Sequence, residues 1–173
     1  MGAELYPLRP NYIRILYSQA RNYITSKGGA MLPFGVSCIE STMAVAEEFS
    51  SIPEDLLTGT LVVCVGSGTI LSGIISGLKR LPNKILGISS GMSAKNQFNN
   101  INQLLFEANV GLPHLCSFNT SFLLIPPIMP YSEVCSIDTP FPSHGNYDKK
   151  AFKFMVDNID KLKKPILFVN IGS

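Results

Sequence analysis

The sequence predicts an α/β protein whose mostly parallel open sheet carries helices on both faces, in three layers. Strand and helix patterns alternate along the 173 residues, the order that builds a parallel sheet through helical crossovers. Residues 61–65 (Leu-Val-Val-Cys-Val) are continuously apolar, which is typical of a strand buried on both faces. A glycine-serine turn at 66–69 then joins that strand to a helical pattern. We therefore expect residues 1–173 to form one α/β domain or an incomplete two-lobed unit.

The N-terminal elements are predicted from the spacing of apolar residues and from the residues that begin or end helices and strands. Apolar residues at three- and four-residue spacing predict a helix over 11–27. The short apolar stretch 31–34 predicts a strand end that runs into a loop at Gly35. Ser37, three residues before Glu40, has the spacing of a capping box and predicts that a second helix opens here.

The central segment predicts a Rossmann-like βαβ unit. Its first strand is 61–65, its helix is 70–81 and its second strand is 84–88. The polar connector 50–58 precedes it. This unit places the turn 66–69 at the carboxyl end of a buried strand, where α/β proteins bind ligands.

The C-terminal part continues the alternation. Periodicity predicts a helix over 93–108, a strand over 121–125 and a proline-rich loop over 126–145. A basic helix over 147–162, whose lysines we expect on a solvated face, leads to a last buried strand over 165–170.

Composition excludes several classes of protein. Hydrophobic residues make up 46% and charged residues 15%, which excludes a disordered tail. The net charge is only +2 and no run of five like charges occurs, so we expect no nucleic-acid partner. No apolar stretch approaches about 18 residues, and no signal-peptide pattern opens the chain, so we expect no membrane partner and a cytoplasmic location. The mean hydropathy of +0.23 is high, as if the chain left apolar surface for something else to cover.

The metal-ligating residue types are too dispersed for a metal site. Four cysteines and two histidines are scattered without a C-x-x-C pair. Cys64 lies in the apolar strand and is expected to be a small buried hydrophobe. His144 is expected to be a surface loop residue, and His114 a structural one.

The turn after the first central strand has the chemistry of an anion site. The unpaired N–H groups and partial positive charge of a helix N-terminus favour a phosphate, and Ser67 and Thr69 add hydroxyls. A dinucleotide fingerprint is excluded because Leu71 stands where its third glycine belongs, and no Gly-Lys-Ser/Thr P-loop occurs. The alternative is that Gly66 and Gly68 only make a tight βα turn.

Residues 63–73 (Val-Cys-Val-Gly-Ser-Gly-Thr-Ile-Leu-Ser-Gly) resemble the phosphate loop of fold-type II pyridoxal-phosphate (PLP) enzymes, the tryptophan synthase β-like family. The nearest branch is the 1-aminocyclopropane-1-carboxylate deaminase and D-cysteine desulfhydrase group. Segments 32–37, 84–89 and 166–172 are similar to other motifs of that branch, in the same order. The resemblance spans residues 31–173.

The resemblance implies a PLP cofactor and a small amino-acid substrate undergoing elimination or deamination, the chemistry of a lyase or deaminase. It implies that the cofactor phosphate is bound by Gly66, Ser67, Gly68 and Thr69. The closing loop of the family offers a hydroxyl to the pyridine nitrogen. Ile171 stands at that place and cannot hydrogen-bond, so Ser173 is the candidate for this contact.

One departure from the family leaves the activity open. The family's Schiff-base lysine lies upstream of every segment matched here, so no catalytic residue can be named and the chain's status as an enzyme is undecided. The alternative is a non-catalytic pseudoenzyme or partner subunit that binds a phosphorylated ligand, and a third interpretation is a phosphosugar-binding domain. We expect either a homo-oligomer or a subunit with a partner, which would cover the apolar surface.

Overall fold

The computed structural model describes residues 5–91, 93–110 and 121–172. The chain divides into two compact units, Met1–Pro33 and Phe34–Ser173. The first unit contains helix α1, Ile13–Ser26, which agrees with the predicted helix over 11–27. The ring of Tyr6 stacks on that of Tyr23, with the ring centroids 3.7 Å apart. No residue of α1 is buried.

The second unit is built on a parallel sheet with the strand order β3-β2-β1-β4 among the described residues. The strands are β1 Thr60–Val65, β2 Lys84–Ser89, β3 Ser121–Ile125 and β4 Ile166–Val169. The helices are α2 Ile39–Phe49, α3 Thr69–Gly77, α4 Ala94–Glu107 and α5 Asp148–Asp157. Short 3₁₀ turns cover Phe34–Val36, Glu54–Thr58 and Ile159–Lys161. The α/β class and the parallel sheet are confirmed.

The strand order creates a switch point beside β1. The chain runs from β1 to β2 and then to β3 on one side, and β4 returns to the other side of β1. Val63, for example, pairs with Gly87 of β2 and with Val169 of β4. In open parallel sheets the crevice at such a reversal, outside the carboxyl ends of the strands, is the usual ligand site.

Two apolar layers enclose the sheet. Alternate residues of β1 point to opposite faces, so Leu61, Val63 and Val65 pack in one cluster, whereas Val62 and Cys64 pack in the other. The first cluster is completed mainly by α3 and α4: Leu71, Ile74, Ile75, Ile101 and Leu105. The second is completed by α5 and the turn after it: Ala151, Met155 and Leu162. Helices therefore cover both faces, as expected, and no helix in the described ranges is long and apolar enough to span a membrane.

The segment between the two units differs from the sequence expectation. Residues 31–34 form no strand, because Pro33 lacks an N–H donor and the chain then enters the 3₁₀ turn Phe34–Val36. Gly35 has a φ of +68° and Val36 a φ of +47°, both left-handed. The predicted capping box is also wrong. Helix α2 begins at Ile39 with Cys38 as its N-cap, and no side chain caps it.

Two predicted helices are too long at their C-termini. Helix α3 ends at Gly77 rather than 81, because Leu78 is extended and Gly77 lies directly against the backbone of Ala46. Helix α5 ends at Asp157, and a 3₁₀ turn replaces the rest of the predicted span to 162. Neither change moves the loop that follows β1.

Candidate functional site

The loop Gly66-Ser67-Gly68 joins β1 to α3 at the switch point, where the sequence places it. Gly68 is the N-cap of α3 and has a φ of +95°, a conformation that disfavours any residue with a Cβ. A Cβ at Gly68 would also lie only 2.7 Å from Cγ1 of Ile101. This position therefore requires glycine both for its backbone and for its close approach to α4.

The N-terminus of α3 is not capped by any side chain. The first N–H groups of a helix have no partner within the helix and carry the positive end of its dipole. Helix α4 differs, because the Ser93 hydroxyl accepts the N–H of Asn96 at 3.4 Å. The start of α3 is thus equipped to take an anion, and its buried N-terminal residue Thr69 adds a hydroxyl there.

Two hydroxyls of the loop form a small network with the 3₁₀ turn. Oγ of Ser67 and Oγ1 of Thr69 lie 2.9 Å apart. The carbonyl oxygen of Gly35 lies 3.3 Å from the Ser67 hydroxyl and 3.5 Å from the Thr69 hydroxyl. The two hydroxyls have only two protons for these three contacts, so the network holds the turn only loosely.

Hydrogen bonds from Ser90, directly after β2, and from Gln97 of α4 hold the other side of the loop. The carbonyl of Val65 accepts the N–H of Ser90 at 3.0 Å and its hydroxyl at 3.2 Å. The same carbonyl accepts Nε2 of the buried Gln97 at 2.7 Å, and this nitrogen also donates to the Gly66 carbonyl at 3.2 Å. No sequence motif singled out Gln97, although it precedes the buried Ile101 by one helical turn.

The loop after β4 borders the same crevice and is tied to the start of α5. Nδ2 of Asn170 donates to the carbonyl of Pro142 at 2.9 Å. Burial raises the pKa of the Asp148 carboxyl above its usual value, although the backbone N–H of Ile171 and the nearby His144 favour its charged form. Asp148 begins α5, as predicted. Ser173, the candidate partner of the pyridine nitrogen, lies outside the described residues.

Lys150 is buried, which contradicts the expectation that the lysines of this helix are solvated. It is 1% exposed, and its Nζ donates to the carbonyls of Pro130 and Tyr131 at 2.7 and 3.2 Å. Carbonyl oxygens of the proline-rich loop replace the water that the ammonium loses. The phenol oxygens of Tyr131 and Tyr147 lie 2.6 Å apart. Because Lys150 binds the backbone carbonyl of Tyr131, it also helps to hold this pair of tyrosines in place.

The metal-ligating side chains that the structure describes do not cluster. Within the described ranges no group of three His, Cys, Asp or Glu side chains could hold a metal ion. Cys64 is 5% exposed, as expected of a small buried hydrophobe, and this burial raises the pKa of its thiol to about 12. His144 is exposed on its loop, as expected, whereas His114 and Cys116 lie outside the described residues.

A protein of known sequence and a solved structure are similar to the chain. No family model matches the chain. A "Glycyl-dTMP PLP-dependent decarboxylase" of Pseudomonas phage M6 is 28% identical over 99% of the chain. A crystal structure of an "ACC deaminase homologue" superposes on 98% of the chain with a TM-score of 0.67 at 19% identity, a likeness of fold. The chain spans 63% of the first protein's length and 57% of the second's. The resemblance to the fold-type II PLP-dependent family is confirmed.

Proposed function

We propose, from this confirmed resemblance, that the chain forms the cofactor-phosphate-binding part of a fold-type II PLP-dependent enzyme. The phosphate of PLP is held by the N-terminus of α3 and the residues that lead into it: Gly66, Ser67, Gly68 and Thr69. The observation that carries the proposal is the uncapped N-terminus of α3, directly behind a glycine loop at the switch point of the sheet.

The residues of the loop fit a phosphate group. The four loop positions contain no acidic side chain, and both of their side-chain polar groups are hydroxyls that can donate. A Cβ at Gly66 would meet only the Ser90 hydroxyl, at 3.8 Å, so the backbone leaves space on that side. A dianionic phosphate requires hydrogen-bond donors, no carboxylate beside them and space to enter, and the loop provides all three.

The start of α3 and the loop after β4 have separate parts in the proposed binding of the cofactor. The N–H groups at the start of α3 hold the phosphate, and Gly68 provides the backbone conformation that brings them together. The loop after β4 faces the other end of the crevice, and there Ser173 remains the proposed partner of the pyridine nitrogen. Bound PLP supplies an electron sink for breaking a bond at an amine-bearing carbon.

The proposed reaction is elimination or deamination of a small amino acid. Decarboxylation is the second candidate, because the phage relative at 28% identity is named a decarboxylase that acts on a glycyl nucleotide. These reactions all begin at a carbon that carries an amine, so they share the same cofactor and differ in the bond that breaks. Release of ammonia and a keto acid, against release of carbon dioxide, distinguishes them in an assay of the purified protein.

The remaining alternative is a non-catalytic protein that binds a phosphorylated ligand. Lys150 is a poor candidate for the lysine that binds the cofactor, because its ammonium is buried and donates to two carbonyls.

We further propose that the protein is cytoplasmic and that it works as a homo-oligomer or with a partner subunit. Light scattering of the purified protein gives the oligomeric state.

Equilibrium dialysis tests the proposed function. We expect PLP to bind, inorganic phosphate to compete with it, and pyridoxal, which lacks the phosphate, to bind at least about tenfold more weakly. Equal binding of PLP and pyridoxal, or no competition by phosphate, would contradict the proposal. Borohydride reduction of the bound sample separates the two candidates, since covalent attachment of PLP to a lysine supports an enzyme and its absence supports the non-catalytic alternative.

A further inference from the structure

We infer that Gln97 is a positioning residue of the phosphate loop, because its side-chain amide holds the last carbonyl of β1 and the first carbonyl of the loop and so directs the N–H groups that follow them into the crevice. The inference deepens the proposed function and rests on it for the identity of the anion. The orientation of the loop itself can be tested without any ligand.

One side-chain nitrogen makes both contacts. Nε2 of Gln97 lies 2.7 Å from the Val65 carbonyl and 3.2 Å from the Gly66 carbonyl. Because both partners are carbonyl oxygens, the group that faces them is the amide NH₂, and it uses both of its protons. Gln97 is fully buried in the first turn of α4, so these bonds do not compete with water.

Because the peptide group is planar, these bonds to the carbonyls also fix the direction of the N–H groups that follow them. In a trans peptide the C=O and the following N–H point in opposite directions. The Val65 carbonyl points to the β2 side, where it also accepts the N–H of Ser90, so the N–H of Gly66 points to the β4 side. The crevice of the switch point lies there. The bond to the Gly66 carbonyl likewise turns the N–H of Ser67 away from Gln97.

The other half of the Gln97 amide indicates what this side chain is for. Its Oε1 is buried and has no hydrogen-bond partner among the described residues. A buried polar oxygen without a partner carries a desolvation cost that methionine of similar size would avoid. The two donated bonds therefore have to offset this cost, which fits a side chain that fixes the loop rather than one that only fills space.

Three variants isolate the donated bonds. Gln97→Met keeps the length of the side chain and removes both donors, and Gln97→Glu replaces the donors with acceptors. Gln103→Met is the matched control, because Gln103 is an exposed residue of the same helix whose Nε2 donates to Glu107 at 2.9 Å. Dialysis gives the dissociation constants for inorganic phosphate and PLP. Amide ¹H–¹⁵N residual dipolar couplings of the ligand-free proteins report the orientation of the Gly66 and Ser67 N–H groups.

We expect Gln97→Met to weaken phosphate and PLP binding by about tenfold, the worth of one to two lost hydrogen bonds, and Gln97→Glu to weaken them more. Both variants should change the dipolar couplings of the Gly66 and Ser67 N–H groups without ligand, and Gln103→Met should change neither property. A folded Gln97 variant with wild-type dissociation constants, or with unchanged loop couplings, overturns the inference. If wild-type protein binds no phosphate, the proposed function fails, and the ligand-free couplings still decide the role of Gln97. If Gln97→Met and Gln97→Glu do not fold, Gln97→Leu, which lacks both donors and buries no charge, decides.

Discussion

The hydroxyls of Ser67 and Thr69 lie 2.9 Å apart, at the point where β1 gives way to α3. Both also face the carbonyl of Gly35, at 3.3 and 3.5 Å. A phosphate oxygen that accepts one hydroxyl proton removes it from this network, because each hydroxyl has only one proton to donate. Binding at the loop and the position of the turn 34–36 are therefore coupled.

Thr69→Val tests the contribution of the buried hydroxyl. Valine keeps the shape of the side chain and removes the donor, so we expect PLP binding to weaken by about three- to tenfold in equilibrium dialysis. Thr58→Val is the control, because the Thr58 hydroxyl donates to the carbonyl of Asp55 before β1 begins, far from the loop. An unchanged dissociation constant for Thr69→Val would remove this hydroxyl from the site.

Gly68→Ala tests the tight approach of the loop to α4. Alanine has to adopt a φ of +95° and to displace Ile101, so we expect a loss of about 2–4 kcal/mol in the free energy of unfolding, measured with urea. Gly172→Ala separates the two causes. Gly172 has a φ of +97°, but no atom of the described residues lies within 4 Å of the point where a methyl group would stand, so the loss for Gly172→Ala should be only about 1–2 kcal/mol. Equal losses would show that the contact with Ile101 costs nothing.

Asp148→Asn tests the buried carboxyl through the pH dependence of stability. Because burial raises the pKa of Asp148, its neutral form is favoured, and the stability from that form is lost as the pH rises through the native pKa. Asparagine stays neutral, so its stability relative to wild type should increase between about pH 3 and pH 7 in urea unfolding. Asp157→Asn is the control, since Asp157 forms an exposed ion pair with Lys153 at 2.8 Å. A pH-independent difference for Asp148→Asn would contradict the account.

Lys150→Met tests the buried ammonium. The change removes the two bonds that the buried ammonium donates, so we expect a loss of about 1–3 kcal/mol in the free energy of unfolding. The carbonyl of Pro130 keeps the bond from the N–H of Glu133, at 3.1 Å. The carbonyl of Tyr131 keeps the bond from Nδ2 of Asn146. Lys153→Met, in the same helix, removes only an exposed ion pair and should lower the free energy of unfolding much less. Similar losses for the two variants would mean that the bonds of Lys150 contribute little.

Local pattern was sufficient to predict the fold and the position of the loop. The apolar run 61–65 could be accommodated only by a strand covered on both faces, and the glycines after it could only mark its turn into a helix. The assignment of the phosphate to four positions of this loop came from the family resemblance, not from the local pattern. The predicted capping box is wrong, because Cys38 rather than Ser37 holds the N-cap position of α2 and no side chain caps the helix.

The contacts that support the loop depend on residues distant in the sequence. Gln97 reaches carbonyls 31 and 32 positions earlier, which no local pattern encodes, although its spacing from Ile101 and Leu105 places it on the apolar face of α4. Lys150 carries no comparable signal, because it stands among other lysines and its partners lie in a loop without periodicity. Tertiary contacts decide which of several similar side chains is buried.

The most direct test of the central claim is an amide ¹H–¹⁵N titration of the ¹⁵N-labelled protein with PLP, with inorganic phosphate as a second ligand. We expect both ligands to produce their largest common shifts at the N–H groups of Gly66, Ser67, Gly68 and Thr69, because these donors take the shared phosphate. PLP alone should then shift further signals near the loop after β4. Common shifts located away from the start of α3, or no shifts at the four loop positions, would contradict the proposed phosphate site.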